Sequence, residues 1–228
     1  VQNDAVSYLT DITEAPPYEN YFKNFRSVGK ISPAIVIDIE TLLIEWKQYL
    51  NTQGNLIESQ VEKEALVLNT KGIQYQDMQF KRLIFADGQH GLSREFFMFL
   101  KYEDAKGDVI YIKSDKFHCD EMVKASINII PVNNHQYWVG SNYEWDPKDD
   151  KPSESIKVNL IAKLDKSVTF KYNVMDHKSA IRACTMDRKP YIGIHPEYPQ
   201  LVIFNGLGTK GMSLAPYFSE HLFDHLEN

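Results

Sequence analysis

The stretch that decides the fold is residues 201–216, which read LVIFNGLGTKGMSLAP. Its first residues are apolar and mostly β-branched or aromatic, a composition typical of a buried strand. Glycines follow at positions 206, 208 and 211, and residues 213–226 then carry leucine and phenylalanine at helical spacing. The stretch therefore predicts a strand that runs through a glycine loop into a closing helix.

Strand, Gly-x-Gly-x-x-Gly and helix together form the formal pattern of a dinucleotide-binding turn. That turn needs a second strand after the helix and an acidic residue about 20 positions further on. Only residues 212–228 follow Gly211, so we do not expect a pyrophosphate site here. The glycines still let backbone approach a flat or charged group, towards which the helix start directs N–H groups. The alternative is a turn that only closes the strand on the helix.

A second block lies just upstream, where Ile181–Glu197 reads IRACTMDRKPYIGIHPE. Together with Asn205–Pro216 it resembles the D-amino-acid oxidase and glycine oxidase superfamily. The corresponding family blocks read, in outline, L-R-P-x-T-x-D-x-x-P-x-I-G-x-H-P and G-x-x-x-x-G-x-x-L-A-P. Weaker matches extend the resemblance over most of the chain, at Asp38–Leu43, Ile84–Gly88, Lys106–Asp108 and Val139–Asn142.

The resemblance implies an FAD enzyme that removes a hydride from the carbon beside an amine. It implies that Arg182 pairs with the substrate carboxylate, a role suited to the bidentate guanidinium; a surface or interdomain ion pair is the alternative. It further implies that Gly206, Leu207, Gly208, Thr209, Lys210 and Gly211 lie along the pyrimidine edge of the flavin. Lys210 is then either an added positive charge for reduced flavin or a solvated lysine.

The chain departs from the family pattern at several points. Ala183 stands where the family has proline, and Gln89-His90-Gly91 follows the strand that ends at Gly88. The N-terminal strand and Gly-x-Gly-x-x-Gly that hold the FAD pyrophosphate in the family are not found in residues 1–33. Because Val1 is not a translational start, we expect a piece of a longer protein that retains little or no FAD by itself.

Periodicity along the rest of the chain predicts helices and an antiparallel sheet, hence an α+β fold, and the resemblance implies that the substrate-domain sheet is mixed and largely antiparallel. The resemblance assigns residues 1–33 and 97–175 to a substrate-domain sheet, and residues 34–96 and 176–228 to the remnant of an FAD-binding domain. Helices are predicted over 40–52, with Asp38 as cap and Gly54 as stop, and over 153–164. Strands are predicted at 34–37, 65–68, 73–75, 82–86, 109–112, 126–132, 136–140, 168–172, 189–193 and 201–205.

Composition excludes several classes of protein. A net charge of −6 without a basic run argues against nucleic acid as a partner. Two cysteines, 65 positions apart, form neither a disulfide framework nor a zinc motif, so we expect the reducing cytoplasm. No apolar run approaches the roughly 18 residues that span a bilayer. The expected partner is a small amine or amino acid, with self-association possible through the surface that a missing segment would leave open.

Other candidate residues favour structural roles. His118-Cys119-Asp120-Glu121 predicts a solvated turn, since adjacent residues rarely share one metal ion. His195, in a proline-flanked turn, is interpreted as structural. Tyr137 and Trp138 follow a tight turn and are interpreted as core residues, with one of them lining a substrate pocket as the alternative. Two hypotheses therefore stand. The chain is part of a flavin-dependent amine or amino-acid oxidoreductase, or it is a non-catalytic binding module that holds no FAD.

Overall fold

A computed structural model describes the backbone of residues 9–12 and all of residues 18–24, 28–89 and 91–227. Val1 and His90 lie outside the described residues. The fold is α+β, as predicted. In chain order its elements are β1 (Leu9–Ile12), β2 (Val28–Ile31), α1 (Ile39–Thr52), β3 (Leu66–Asn69), β4 (Gly72–Tyr75), β5 (Met78–Phe80), β6 (Leu83–Phe85), α2 (Ser93–Phe96), β7 (Ala105–Lys113), β8 (Val123–Lys124), β9 (Asn128–Pro131), β10 (Gln136–Gly140), β11 (Glu144–Trp145), α3 (Glu154–Ser167), β12 (Asn173–Arg182), β13 (Tyr191–Ile194), β14 (Leu201–Asn205) and α4 (Gly211–Glu227).

The chain divides into two compact units. The first contains residues 1–59, 109–141 and 154–177, and the second contains residues 60–108, 142–153 and 178–228. These boundaries come from contacts within each unit. The assignment of one part to substrate and the other to FAD remains a prediction.

The core of the first unit forms between an antiparallel sheet and α3. Strands β7, β10, β9 and β8 are neighbours in that order. Because strand residues alternate between faces, Ile110 and Ile112 of β7 enter one core, together with Leu160 and Leu164 of α3. Leu160 and Leu164 are four residues apart and so share one face of the helix, as the predicted amphipathic pattern requires.

The predicted turn at Asn133-Asn134 is confirmed. It joins β9 to β10, and the N–H of Gln136 donates to the carbonyl of Asn133 at 2.7 Å. Asn134 and His135 adopt φ of 44° and 61°. Positive φ at both central residues of this turn matches the right-handed twist of the strands that it joins.

Helix α1 has its predicted limits but not a buried face. The side chain of Asp38 accepts from the N–H of Thr41 at 3.1 Å, and Gly54 adopts φ of 68° just beyond the helix. No residue of α1 is buried, and Trp46 is 56% exposed. The strand predicted at 34–37 is wrong, because those residues are exposed and belong to no ladder in the described chain.

The second unit contains two small sheets. Strands β3, β4 and β5 form an antiparallel meander, while β14 lies between antiparallel β13 and parallel β6. One face of β14 contributes Leu201 and Ile203 to a core shared with Phe85 of β6. On the other face, Val202 packs with Leu222 and Leu226 of α4. This packing confirms the predicted strand over 201–205 and the predicted closing helix.

The strand predicted at 168–172 is wrong in position. Val168 makes a single bridge with Phe22, and the strand that leads into the motif block is β12, Asn173–Arg182. Its residues include Asp176, His177 and Lys178, and five of its ten residues are half-buried while none is fully buried. A strand with so many charged residues lacks the apolar alternation on which the sequence prediction relied. Its pairing with β7 supplies the ladder.

Candidate functional site

Two parallel strands end side by side in the second unit. In the ladder of β6 with β14, Phe85 lies opposite Ile203. The loop that begins at Asp87 and Gly88 follows β6, and the glycine loop that begins at Gly206 follows β14. In α/β sheets the crevice beyond the carboxyl ends of parallel strands is where ligands bind. The predicted cofactor-binding residues therefore lie at a favourable edge.

Asn205 connects the two loops. Its Nδ2 donates to Oδ1 of Asp87 and to the carbonyl of Gly88, both at 2.9 Å, and its Oδ1 accepts from the N–H of Gly206 at 2.7 Å. The other oxygen of Asp87 accepts from the N–H of Ser93 at 2.8 Å. Asn205 is 5% exposed, so its amide is satisfied inside the protein. Sequence reasoning missed Asn205 and Asp87, although each is the polar residue that ends an apolar strand before a glycine.

The glycine loop packs directly on the segment that follows Arg182. Gly206 and Gly208 adopt φ of 76° and 57°, which favour glycine. A Cβ on Gly206 would lie 2.5 Å from Cγ2 of Thr185, and the N–H of Gly208 donates to the carbonyl of Ala183 at 3.1 Å. The loop and the motif block, recognised separately in the sequence, are thus in contact.

The predicted residues of the loop have different environments. Leu207 and Gly208 are half-buried, whereas Thr209 and Lys210 are exposed. Gly208–Lys210 forms one 3₁₀ turn, and α4 begins at Gly211. The first N–H groups of a helix have no partner within it, so α4 supplies donors and partial positive charge beside the loop.

The threonine and aspartate of the motif block shape its turn. Oγ1 of Thr185 donates to the carbonyl of Lys189 at 2.8 Å, and Asp187 accepts from the N–H of Lys189 at 3.1 Å. Between them Arg188 adopts φ of 59°. Cys184 lies beside Gly208, and burial raises the pKa of its thiol. The thiol therefore remains protonated at neutral pH. The hydrogen bonds within the turn make it a support for the glycine loop.

Arg182 is half-buried at the end of β12, between a glycine and an aromatic ring. A Cβ on Gly107 would lie 2.1 Å from Nη2 of Arg182, so only glycine leaves room for the guanidinium. Cζ of Arg182 lies 5.1 Å from the ring centroid of Tyr143, a cation–π distance. The guanidinium is thus held in a defined position, as a carboxylate-binding group must be.

The segment Lys106–Asp108 anchors the stretch that contains Tyr143. Nζ of Lys106 lies 3.2 Å from a carboxylate oxygen of Glu144, and only 5% of the lysine side chain is exposed. The N–H of Asp108 donates to Oδ1 of Asn142 at 2.6 Å, and Asp108 accepts from the N–H of Ser153 at 2.8 Å. Two of the weaker family matches therefore meet around Arg182.

The remaining candidates have structural roles. Nδ1 of His195 accepts from the N–H groups of Glu197 and Tyr198, so its Nε2 donates to the carbonyl of Phe96 at 3.1 Å. Of the predicted solvated turn, His118, Asp120 and Glu121 are exposed, but Cys119 is 5% exposed, so the prediction is wrong for the cysteine. Cys119 belongs to the core of the first unit. Within the described residues, no group of three or more His, Cys, Asp and Glu could hold a metal ion.

A family model described as FAD dependent oxidoreductase matches residues 49–225 of the chain. The chain belongs to this family. The match spans the motif block, the glycine loop and the segment that anchors Tyr143. It confirms the resemblance that the sequence indicated. None of the described helices has the length and apolar character required to cross a membrane.

The chain also resembles curated and solved proteins. The chain is 22% identical to the tRNA 5-methylaminomethyl-2-thiouridine biosynthesis bifunctional protein MnmC of Legionella pneumophila (strain Corby), over 86% of the chain and 33% of that protein. It is 18% identical to L-amino acid deaminase from Proteus vulgaris, with a TM-score of 0.69 over 95% of the chain and 59% of the other. It is 19% identical to glycine oxidase from Geobacillus kaustophilus, with a TM-score of 0.60 over 70% of the chain and 47% of the other.

These similarities establish the fold and define how much of the relatives the chain represents. It spans about a third of the curated relatives and about half of the solved proteins that it matches. Sequence identities below 25% do not transfer a substrate from those proteins to this one.

Proposed function

We propose that the protein is a flavin-dependent oxidoreductase that oxidises a small amine or amino acid, and that this chain supplies its carboxylate-binding arginine and part of its flavin site. The observation that carries the proposal is the contact between the two motif blocks. The N–H of Gly208 donates to the carbonyl of Ala183, one residue after Arg182. A cofactor-edge loop and a substrate-binding arginine must be neighbours for a hydride to pass between substrate and flavin.

The residues of the second unit fit a flavin edge. Gly206 and Gly208 turn the chain with positive φ values and, as glycines, carry no side chain. The start of α4 and exposed Lys210 add positive charge, which favours an electron-rich ring edge. FAD, when bound, supplies the acceptor for a hydride from the carbon beside the amine. The loop Gly206–Gly211 and the start of α4 would hold its ring.

Arg182 would bind and orient the substrate. A guanidinium binds a carboxylate through two parallel N–H donors, which fixes both position and direction. Gly107 and the ring of Tyr143 limit the rotamers that Arg182 can adopt. The carboxylate of the substrate would therefore be held close to the loop that contacts Ala183.

The domain assignment is proposed together with the function. Residues 34–96 and 176–228 would belong to the FAD-binding domain, and residues 1–33 and 97–175 to the substrate domain. Support comes from the parallel pair of β6 and β14, with the glycine loop at its end, since both strands fall in the proposed FAD-binding part.

The test uses the protein expressed from its whole reading frame, with variants Arg182→Ala and Arg182→Lys. We expect a flavin absorbance spectrum, bleached by a small amine or amino acid without oxygen. Arg182→Ala should retain the flavin spectrum, but its kcat/KM for carboxylate substrates should fall about 100-fold or more. The fall in kcat/KM should be smaller for Arg182→Lys, which keeps the positive charge. Arg188→Ala is the matched control, because Arg188 is an exposed arginine in the turn that follows β12.

Two outcomes would contradict the proposal. A protein that stays colourless and gains no absorbance from added FAD is the non-catalytic binding module. A flavoprotein whose Arg182→Ala variant keeps its kcat/KM for carboxylate substrates has another substrate-binding group.

A further inference from the structure

An exposed pair of aromatic rings begins beside Arg182. Tyr143 is 54% exposed and Trp145 is 46% exposed. Their rings are stacked, with centroids 5.9 Å apart and planes 27° apart, and Arg182 lies over the ring of Tyr143. Large aromatic side chains usually bury most of their area, so an exposed stacked pair next to a fixed guanidinium requires an explanation.

The local backbone places these two rings on the exposed side. Along residues 143–145 the side chains alternate, so Glu144 takes the opposite side and pairs with Lys106. In the ladder of β11 with β7, Glu144 lies opposite Lys106 and Trp145 opposite Ala105. The buried lysine therefore holds Glu144 in place, and the rings on either side of it, Tyr143 just before β11 and Trp145 within it, stack on one surface.

We infer that Tyr143 and Trp145 form an aromatic wall for the side chain of a ligand whose carboxylate is bound by Arg182. The ligand class is an amino acid with an aromatic or large apolar side chain. A ligand no longer than glycine ends near Tyr143, whereas contact with Trp145, whose ring centroid lies 5.9 Å from that of Tyr143, requires a longer side chain. This inference deepens the proposed function and rests on it for turnover, while the binding itself needs only these residues.

The wall matches the chemistry of such a ligand. Stacked or edge-to-face contacts between rings strengthen binding beyond the area that they bury. The guanidinium accepts the charged end of the ligand, and the wall accepts the apolar end. A site built for glycine would gain nothing from the second ring.

The binding test compares two carboxylates that differ by one phenyl group, 3-phenylpropionate and propionate, by calorimetry on the protein from the whole reading frame. Neither has an amine to be oxidised. We expect 3-phenylpropionate to bind at least tenfold more tightly than propionate. Trp145→Ala should weaken 3-phenylpropionate about 5–10-fold and propionate less than twofold, while Trp145→Phe should restore most of the affinity.

Trp46→Ala is the matched control, because Trp46 is also exposed and stacks on Tyr49 with centroids 5.3 Å apart. It should leave both affinities unchanged. Equal affinity of the wild-type protein for the two carboxylates overturns the inference, as does a loss in Trp145→Ala that is the same for both.

The two proposals fail separately. A colourless protein that binds 3-phenylpropionate more tightly than propionate, and loses this difference in Trp145→Ala, contradicts the flavin function but supports the aromatic wall. A flavoprotein whose kcat/KM depends on Arg182, but which binds both carboxylates with equal affinity, supports the proposed function and contradicts the aromatic wall. Circular dichroism spectra of each variant identify any that fail to fold, in which case Trp145→Leu, which retains apolar volume without a ring, replaces the alanine variant.

Discussion

Gly107→Ala tests how the position of Arg182 is determined. A Cβ at residue 107 would lie 2.1 Å from Nη2, 2.4 Å from Nη1 and 2.5 Å from Cζ of the arginine. Ordinary contact begins at 3.4 Å, so Nη2 must retreat by roughly 1.3 Å, the difference between the two distances. Because the group that moves is the end of a flexible side chain, the protein should still fold.

The two effects of the substitution differ in size. Overpacking destabilises a protein by about 1–3 kcal/mol, whereas alanine in place of glycine stabilises a strand by about 0.5–1 kcal/mol. The free energy of unfolding should therefore fall by about 1 kcal/mol. Hydrogen bonds to charged groups contribute about 1.5–3 kcal/mol each. Loss of one of two such bonds should therefore raise the Kd for a carboxylate by about 10–100-fold.

Calorimetry with 3-phenylpropionate and propionate measures the Kd, and urea denaturation measures the stability. Gly54→Ala is the control, because its Cβ would meet nothing within 4 Å although φ is 68°. It should lose stability without loss of affinity. If Gly107→Ala folds and binds both carboxylates with wild-type affinity, the glycine at position 107 does not determine the position of the Arg182 guanidinium.

Three further predictions concern the supports of the site. Lys106→Met should lower the unfolding free energy in urea by about 1–2 kcal/mol, less than a fully buried pair, because the side chain of Glu144 is 37% exposed; no change would mean that the pair contributes nothing. Asn205→Ala should cost about 2–3 kcal/mol, seen as a lower Tm, because Asp87 and the carbonyl of Gly88 lose a buried donor; an unchanged Tm contradicts this. Since burial raises the pKa of Cys184, less thiolate is present at any given pH. Iodoacetamide should therefore label Cys184 more slowly at pH 8 in the folded protein than in urea, and equal rates by mass spectrometry would contradict the shift.

The sequence by itself determined the features that depend on neighbouring residues. The strand Leu201–Asn205, the glycine loop and α4 follow from a short apolar run, three glycines and helical spacing. The cap of α1 by Asp38 follows from a carboxylate three residues before the N–H it accepts. These signals are local, because caps, turns and periodicity act within one or two turns of chain.

The tertiary structure alone decided the features that join distant residues. β12 is a strand because β7 provides its ladder, although its own side chains lack an apolar pattern. Gly107 reaches Arg182 across 75 positions of sequence, and Asn205 reaches Asp87 across 118. The buried Lys106 reaches Glu144, which lies between Tyr143 and Trp145 in the sequence. Local propensity contains no information about such contacts, since their energy comes from partners that only the packed chain brings together.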